Sequence, residues 1–264
     1  MKRLMIGTSW KMNKPLSQAM AYCEALADQL PAVLHPAIQP FFIPPFTAIH
    51  PVSEFFRAHN LPCLTGAQNM HQAENGAWTG EISASMIKET GATLVEMGHS
   101  ERRGAFNETD AAINTKVHTA LRHNLRPLVC IGDSADEKRW GVSEETVFRQ
   151  MKIALFGLSA AQAQQTLIAY EPIWAIGENG TPATPAQAGD IHRALRTALT
   201  ELYGAEDGAK IPLLYGGSVN LQNCAELAAQ PNIDGLFIGR AAWDAAGYCA
   251  IVQRVAQDFI GKAQ

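Results

Sequence analysis

The sequence contains few of the patterns on which disulfide-rich, metal-binding or membrane proteins depend. Its five cysteines are scattered and never form a CxxC pair, so we expect neither a disulfide framework nor a zinc site. The eight histidines include no HxH or HExxH spacing, which argues against a bound metal. No apolar stretch approaches the ~18 residues of a membrane-spanning helix, and the first apolar run is too short for a signal peptide. We therefore expect a cytoplasmic protein with no membrane partner.

A positive surface charge is also missing. The 21 lysines and arginines are outnumbered by 25 aspartates and glutamates, which gives a formal net charge of -4. This balance provides no basic surface for a nucleic-acid backbone, so no nucleic-acid partner is expected. No linker rich in Ser, Gly, Pro or charge divides the chain, and 47% of the residues are hydrophobic. Residues 1–264 are therefore predicted to form a single domain around one large core.

The sequence does contain an alternation of short apolar runs with stretches of helical periodicity. Apolar residues recur every three to four positions around 113–121 and 188–202, as on one face of a helix. Thr109 or Asp110 is placed to cap the first of these helices, and Pro185 falls near the first turn of the second. The candidate strands are Leu4–Gly7, Phe41–Ile43, Leu61–Gly66, Ala92–Glu96, Pro127–Ile131, Leu167–Tyr170, Ile211–Tyr215 and Gly235–Ile238.

This alternation predicts an α/β protein, specifically a single-domain (β/α)8 barrel, with a doubly wound open sheet as the alternative. The candidate strands are mostly apolar without strict alternation, as expected for parallel strands that are covered by helices on one side and filled by a core on the other. In such a barrel, catalytic residues lie just past the C-terminal ends of the strands.

Polar residues occur at those positions repeatedly. Lys11 follows the first candidate strand in IGTSWKMNK, His99 and Glu101 follow the fourth, Glu171 closes the sixth, and YGGSV (215–219) ends the seventh. Taken singly, each has an ordinary structural explanation: a solvated lysine, a core imidazole, an ion pair with a neighbouring arginine, or a solvated carboxylate. Their recurrence at equivalent positions of one barrel favours a shared active site.

The segments WKMN, AQN, WTGEIS, GHSERR, PLVCIG, YEPIWAIG, YGGSV and DGLFIGR resemble those of the triosephosphate isomerase family over nearly the whole chain. The resemblance implies an isomerase of small sugar phosphates that uses neither a metal nor an organic cofactor. It moves a proton between two adjacent carbons through an enediolate. Lys11, His99 and Glu171 would form the catalytic set, and Glu101 would support Lys11.

The physical chemistry of the residues agrees with these roles. Removing a proton from carbon needs a base with little surrounding water. The apolar residues 172–174 after Glu171 predict a desolvated and therefore more basic carboxylate. His99 precedes a short helix, whose N-terminus disfavours protonation of an imidazole, and triosephosphate isomerases are themselves the established example of this tuning. Ser100 is predicted to cap that helix.

A phosphate site is predicted beside the catalytic set. Glycines after the seventh and eighth strands let backbone N–H groups surround phosphate oxygens, and barrels of this kind frequently bind phosphate there. Lys11 would add positive charge for the phosphate and the enediolate. The predicted substrate-binding residues are Ser9, Lys11, Gly177, Gly216, Gly217, Ser218, Gly239 and Arg240.

Two loops carry further expectations. AIGENGTPATP (175–185) has small residues between the stiff Trp174 and Pro185, and the resemblance suggests a lid that closes over the substrate. Gln68–Ser83 is a long polar loop. In the family the equivalent loop inserts beside the neighbouring subunit's active site, so the resemblance implies a homodimer with Thr79 near the partner subunit's lysine.

The chain departs from the family pattern around the substrate. Ser9 stands where the family usually has asparagine, the lid is one residue longer and carries Pro182, and Arg240 replaces a common glycine. The smaller Ser9 frees space for a hydroxymethyl group. The L-erythrulose 1-phosphate isomerases of erythritol catabolism, a subgroup of the family, resemble the chain in GTSWKMN, in the ENG lid and in GRxAW.

The preferred hypothesis is therefore conversion of L-erythrulose 1-phosphate to D-erythrulose 4-phosphate. The alternative is a triosephosphate isomerase of glycolysis and gluconeogenesis, which interconverts dihydroxyacetone phosphate and D-glyceraldehyde 3-phosphate. A catalytically silent sugar-phosphate sensor is disfavoured because the whole catalytic set is present. An aldolase or synthase is disfavoured because no second lysine stands at a strand end in a Schiff-base context.

Overall fold

The structure is a computed structural model that describes residues 3–176 and 180–262, and its parallel strands form a closed eight-stranded barrel. Each strand pairs with the next along the chain, and the last pairs with the first. The (β/α)8 prediction is therefore confirmed, and the open sheet is wrong. The strands are β1 (Leu4–Ser9), β2 (Ile38–Ile43), β3 (Leu64–Ala67), β4 (Leu94–Met97), β5 (Arg126–Ile131), β6 (Leu167–Tyr170), β7 (Leu213–Tyr215) and β8 (Gly235–Ile238).

Each predicted strand has a counterpart in the barrel, but β4, β5 and β7 begin one or two residues away from the predicted start, and β2 and β3 begin three residues away. β2 starts earlier than predicted because Gln39 and Pro40, which interrupt the apolar pattern, are nevertheless in register with β1. β3 starts only at Leu64 because the preceding residues form a turn, in which the Cys63 N–H donates to the Leu61 carbonyl at 2.8 Å.

Helices follow the strands and cover the barrel. Thr109 caps α5 by accepting from the Ala112 N–H at 3.2 Å, and Pro185 is the first residue of α9, so both predicted start signals hold. The helices are α1 (Leu16–Val33), α2 (Ile49–Ala58), α3 (Ala84–Glu89), α4 (Ser100–Ala105), α5 (Asp110–Arg122), α6 (Ala135–Trp140), α7 (Ser143–Ala154), α8 (Ala160–Gln165), α9 (Pro185–Tyr203), α10 (Ala205–Gly208), α11 (Cys224–Ala228) and α12 (Ala245–Lys262).

The strands bury apolar residues on both faces, which explains their lack of alternation. Outward-facing residues such as Ile6 and Val95 pack under the helices in one large cluster. A separate cluster fills the barrel interior and contains Met5, Phe41, Ile43, Leu94, Leu128, Cys130, Leu167, Ala169, Leu214 and Phe237.

The interior changes from apolar to polar towards the C-terminal ends of the strands. Side chains alternate along a strand, so Glu96 follows Leu94 on the inward face of β4. By the same alternation Glu171 follows Leu167 and Ala169 just past the end of β6. Carboxyl groups thus stand on top of an apolar core, where few water molecules reach them.

Two features are not found in the part of the chain that the structure describes. None of its helices is long and apolar enough to cross a membrane. Within the same residues, no group of three or more His, Cys, Asp or Glu side chains has the arrangement of a metal site.

Candidate active site

A cavity of about 360 Å³ opens at the C-terminal ends of the strands. Most of the residues that the sequence predicted for the site line it. Glu101 stands beside it in contact with Lys11, and Gly177 lies outside the described residues. The predicted residues that line the cavity are Ser9, Lys11, His99, Glu171, Gly216, Gly217, Ser218, Gly239 and Arg240.

Lys11 enters the cavity from the end of β1 in an unfavourable backbone conformation. Its φ of 53° lies in the left-handed region, which costs a non-glycine residue roughly 1–2 kcal/mol. The Gln68 side-chain amide donates to the Lys11 carbonyl at 2.8 Å and helps to hold this turn. The Lys11 ammonium donates to Glu101 Oε1 at 2.8 Å. Because Glu101 is largely exposed, this ion pair contributes to orientation more than to stability.

His99 joins β4 to α4 and caps that helix with its own ring. The Glu101 N–H donates to His99 Nδ1 at 3.2 Å, so the neutral ring carries its proton on Nε2. Burial, assisted by the positive charge of Lys11, lowers the pKa of His99 to about 4. The prediction that Ser100 caps the helix is wrong, because the imidazole of His99 occupies the capping position and Ser100 is the first helical residue. His99 is thus a neutral hydrogen-bond donor at the cavity wall.

Glu171 follows β6 and is 4% exposed. Its N–H donates to the Ile131 carbonyl at 2.7 Å, which fixes the backbone beside β5. Its Oε2 is buried, has no hydrogen-bond partner among the described residues, and lies 3.7 Å from His99 Nε2. Burial raises the pKa of Glu171 well above its ordinary value, the nearby Glu96 raises it further, and Lys11 opposes both effects. The carboxyl is therefore a strengthened base that faces a neutral donor.

The two glycines after β7 are required by close packing. A Cβ on Gly216 would lie 2.7 Å from Glu171 Cγ, and one on Gly217 would lie 2.3 Å from the Tyr215 hydroxyl. The Gly216 N–H already donates to the Tyr170 carbonyl at 2.8 Å. Gly216 therefore makes room for the Glu171 side chain, and this N–H is engaged within the barrel rather than turned towards a ligand.

Asp133, which sequence reasoning missed, fixes the start of the loop that contains the predicted lid. Its carboxylate accepts from the Trp174 indole at 3.0 Å, from the Tyr170 hydroxyl at 2.8 Å and from Ser143 Oγ at 2.7 Å. The sequence shows only a lone aspartate after β5, which has no specific signal. The part of the lid at 177–179 lies outside the described residues.

Glu96 was also missed as a member of the site. The sequence did contain a signal, since a carboxylate at an inward position of an otherwise apolar strand is unusual in a barrel core. Its Oε2 accepts from Ser9 Oγ at 2.8 Å. Burial, the largest influence, raises the pKa of Glu96 to about 7.

Comparison with known proteins identifies related chains. A family model described as "Triosephosphate isomerase" matches residues 4–255. Similar relatives are L-erythrulose-1-phosphate isomerases. The protein of Rhizobium rhizogenes (strain K84) is 48% identical over 260 residues, which cover 98% of this chain and 97% of the relative. That of Rhizobium meliloti (strain 1021) is 48% identical over 255 residues, with 96% and 97% coverage.

The L-erythrulose-1-phosphate isomerase of Brucella abortus biovar 1 (strain 9-941) is 48% identical over 259 residues, which cover 97% of this chain and 98% of the relative. The family match and the relatives both extend over nearly the whole barrel, including the strand ends that carry Lys11, His99 and Glu171. The chain therefore belongs to the triosephosphate isomerase family.

Proposed function

We propose that the protein isomerises L-erythrulose 1-phosphate to D-erythrulose 4-phosphate by proton transfer between adjacent carbons. The observation that carries the reaction type is the buried Oε2 of Glu171, which has no hydrogen-bond partner in residues 3–176 and 180–262 and lies 3.7 Å from His99 Nε2. A base and a neutral donor on one cavity wall are what enolisation of a ketone requires. The names of the similar relatives and the small Ser9 side chain support the substrate.

In this mechanism Glu171 removes the proton from C3, next to the carbonyl at C2. The electrons of the C–H bond form the enediolate, whose oxygen accepts a hydrogen bond from His99 Nε2–H. The carboxyl of Glu171 then returns a proton to C2, and the hydroxyl proton moves between the two oxygens through His99. The ketone has thereby moved from C2 to C3, and the phosphate carbon becomes C4 of the product.

The remaining cavity residues bind the phosphate and balance charge. Lys11 supplies a cation that lowers the energy of the dianionic phosphate and of the enediolate oxygen. Ser218, Gly239 and Arg240 line the cavity at the loops after β7 and β8. Polar groups and a further cation at these loops suit a phosphate, which lies at this end of many barrels.

Triosephosphate isomerisation is the second candidate, because the matching family model carries that description. Dihydroxyacetone phosphate lacks one CH2OH group and would react through the same three side chains. A pocket that discriminates only by one such group provides about 1–3 kcal/mol, so activity on both substrates is compatible with either preference.

The first test compares kcat/KM of the purified protein on L-erythrulose 1-phosphate and on D-glyceraldehyde 3-phosphate. We expect the four-carbon substrate to be preferred by roughly tenfold or more, within the range of about 10–200-fold that one such group supports. A preference for the triose phosphate would overturn the proposed substrate and leave the isomerase chemistry in place. Activity on neither compound would overturn both.

A second prediction concerns the protonation of His99. Since its pKa is lowered to about 4, we expect the imidazole to stay neutral with the proton on Nε2 from pH 8 down to about pH 5. Nitrogen chemical shifts of the labelled ring measure this directly, and urea-unfolded protein, with histidines titrating near ~6.5, is the control. A ring that becomes cationic between pH 6 and 7 would contradict the assigned donor.

We further propose that the protein forms a homodimer through Gln68–Ser83. Trp78 in this loop is 53% exposed and Met12, next to Lys11, is 96% exposed. These large apolar side chains gain from burial against a second copy. In that arrangement Thr79 of one subunit would lie near Lys11 of the other.

Sedimentation velocity tests this arrangement. We expect Trp78→Asp to convert the dimer to a monomer and to lower kcat/KM, because a charge is costly in an apolar interface. Trp140→Asp is the matched control, since Trp140 is an equally prominent exposed indole on α6, away from the loop. A wild-type monomer, or a Trp78→Asp variant that remains dimeric, would contradict the proposal.

A further inference from the structure

Glu96 is a carboxyl group in the barrel interior for which the proposed mechanism has no use. It lies on the inward face of β4, two residues after Leu94, and is in register with Leu128 of the interior cluster. Its side chain is 2% exposed. Its two oxygens face a hydroxyl and a thiol rather than a cation: Ser9 Oγ at 2.8 Å and Cys130 Sγ at 3.9 Å. Because a carboxyl group is costly to bury, we expect Glu96 to serve a function at this position.

The hydrogen bond between Ser9 and Glu96 crosses the inside of the barrel. The two residues are 87 positions apart and belong to β1 and β4, which are not neighbours in the barrel. Ser9 lines the cavity together with His99 and Glu171, and Glu96 lies behind it. Glu96 is on β4 and His99 follows the same strand, so this pair lies at the catalytic end of the cavity, whereas the phosphate candidates follow β7 and β8.

The bond determines what Ser9 offers to a ligand. A serine hydroxyl has one proton and two lone pairs. When that proton is donated to the Glu96 carboxylate, the lone pairs remain for an acceptor role at the cavity wall. A hydroxyl that donates to a carboxylate is polarised and becomes a stronger acceptor. Without Glu96, the Ser9 hydroxyl could rotate and act either as a donor or as an acceptor.

We propose that Ser9 and Glu96 form a subsite for a substrate hydroxyl, in which Glu96 holds Ser9 as the acceptor for the terminal C4 hydroxyl of a tetrulose phosphate. The inference rests on the proposed function, because the triose phosphates lack this fourth carbon. Ser9 is then a specificity residue that touches the substrate. Glu96 is a positioning residue that acts through Ser9.

The charge state of Glu96 supports the same assignment. Burial raises its pKa to about 7, and the bond from Ser9 and the charge of Lys11 work against that rise, so the carboxylate forms as the pH rises through about 7. The titratable or charged groups that influence it lie on β5 or in the segments that follow β1, β4 and β6. These groups are Lys11, Glu101, Glu108, Cys130 and Glu171.

The first experiment measures kcat/KM on L-erythrulose 1-phosphate and D-glyceraldehyde 3-phosphate for wild type, Glu96→Gln, Glu96→Leu and Ser9→Ala. We expect Glu96→Leu and Ser9→Ala each to lower the four-carbon value by roughly tenfold or more, as for a lost buried hydrogen bond. The triose value should fall by a smaller factor, because the triose lacks the C4 hydroxyl, whereas any effect of Glu96 on the pKa of Glu171 acts on both substrates. Glu96→Leu should fold, because replacing a buried carboxyl by an apolar group is often neutral or stabilising.

Two further readouts separate positioning from a merely structural role. In the double variant Glu96→Leu/Ser9→Ala, the two losses in kcat/KM on L-erythrulose 1-phosphate should not add, since each single substitution already removes the same acceptor. In wild type, kcat/KM on L-erythrulose 1-phosphate divided by kcat/KM on D-glyceraldehyde 3-phosphate should rise as the pH increases through about 7. In Glu96→Gln this ratio should not change with pH. The ratio cancels the titration of Glu171, which both substrates share. Leu94→Met, a volume-conserving change one step deeper on the same face, should alter neither readout.

The outcomes distinguish this inference from the proposed function. If wild type prefers the triose phosphate, the proposed function is wrong and the subsite loses its ligand. If wild type prefers the tetrulose phosphate but Glu96→Leu and Ser9→Ala keep that preference, the subsite alone is overturned. Equal losses on both substrates would also overturn it, because Glu96 would then support the base and not the hydroxyl.

Discussion

The desolvation of the Glu171 carboxyl is the constraint on which the active site depends. A closed barrel of parallel strands is filled by apolar side chains, and its inward faces end in a layer that water barely reaches. A carboxylate in that layer is a stronger base than one in water. It is also costly to bury, because its Oε2 has no hydrogen-bond partner in the part of the chain that the structure describes. The same burial that costs folding free energy thus makes the Glu171 carboxylate more basic.

The surroundings of Glu171 follow from this constraint. Gly216 has no side chain because the base occupies that space. His99 must be neutral beside it, since a cationic ring would form an ion pair with the carboxylate and weaken the base. The Glu101 N–H enforces this by donating to Nδ1, which directs the remaining ring proton towards the cavity. Lys11 has an unfavourable backbone conformation, and its ammonium group brings a cation to the same end of the barrel.

The sequence was most informative about features that repeat or that stand at strand ends. Strand and helix alternation predicted the barrel, and polar residues after strands predicted which side chains would meet. It was least informative where one side chain interacts with another across the fold. Glu96 bonds to Ser9 on a distant strand, and Asp133, which follows β5, bonds to Trp174, which follows β6. The capping of α4 by His99 instead of Ser100 is likewise set by ring geometry. Such contacts depend on register and rotamers, which periodicity does not specify.

In the proposed mechanism Glu171 is the group that carries the proton between the two carbons. Isomerisation in D2O tests this role, because a carboxyl that exchanges with solvent delivers deuterium to the product carbon. We expect carbon-bound deuterium in the product formed by wild type. For Glu171→Gln we expect turnover and exchange both to fall by orders of magnitude, since an amide cannot accept the proton. A Glu171→Gln variant that turns over and exchanges at the wild-type rate would contradict this role for Glu171.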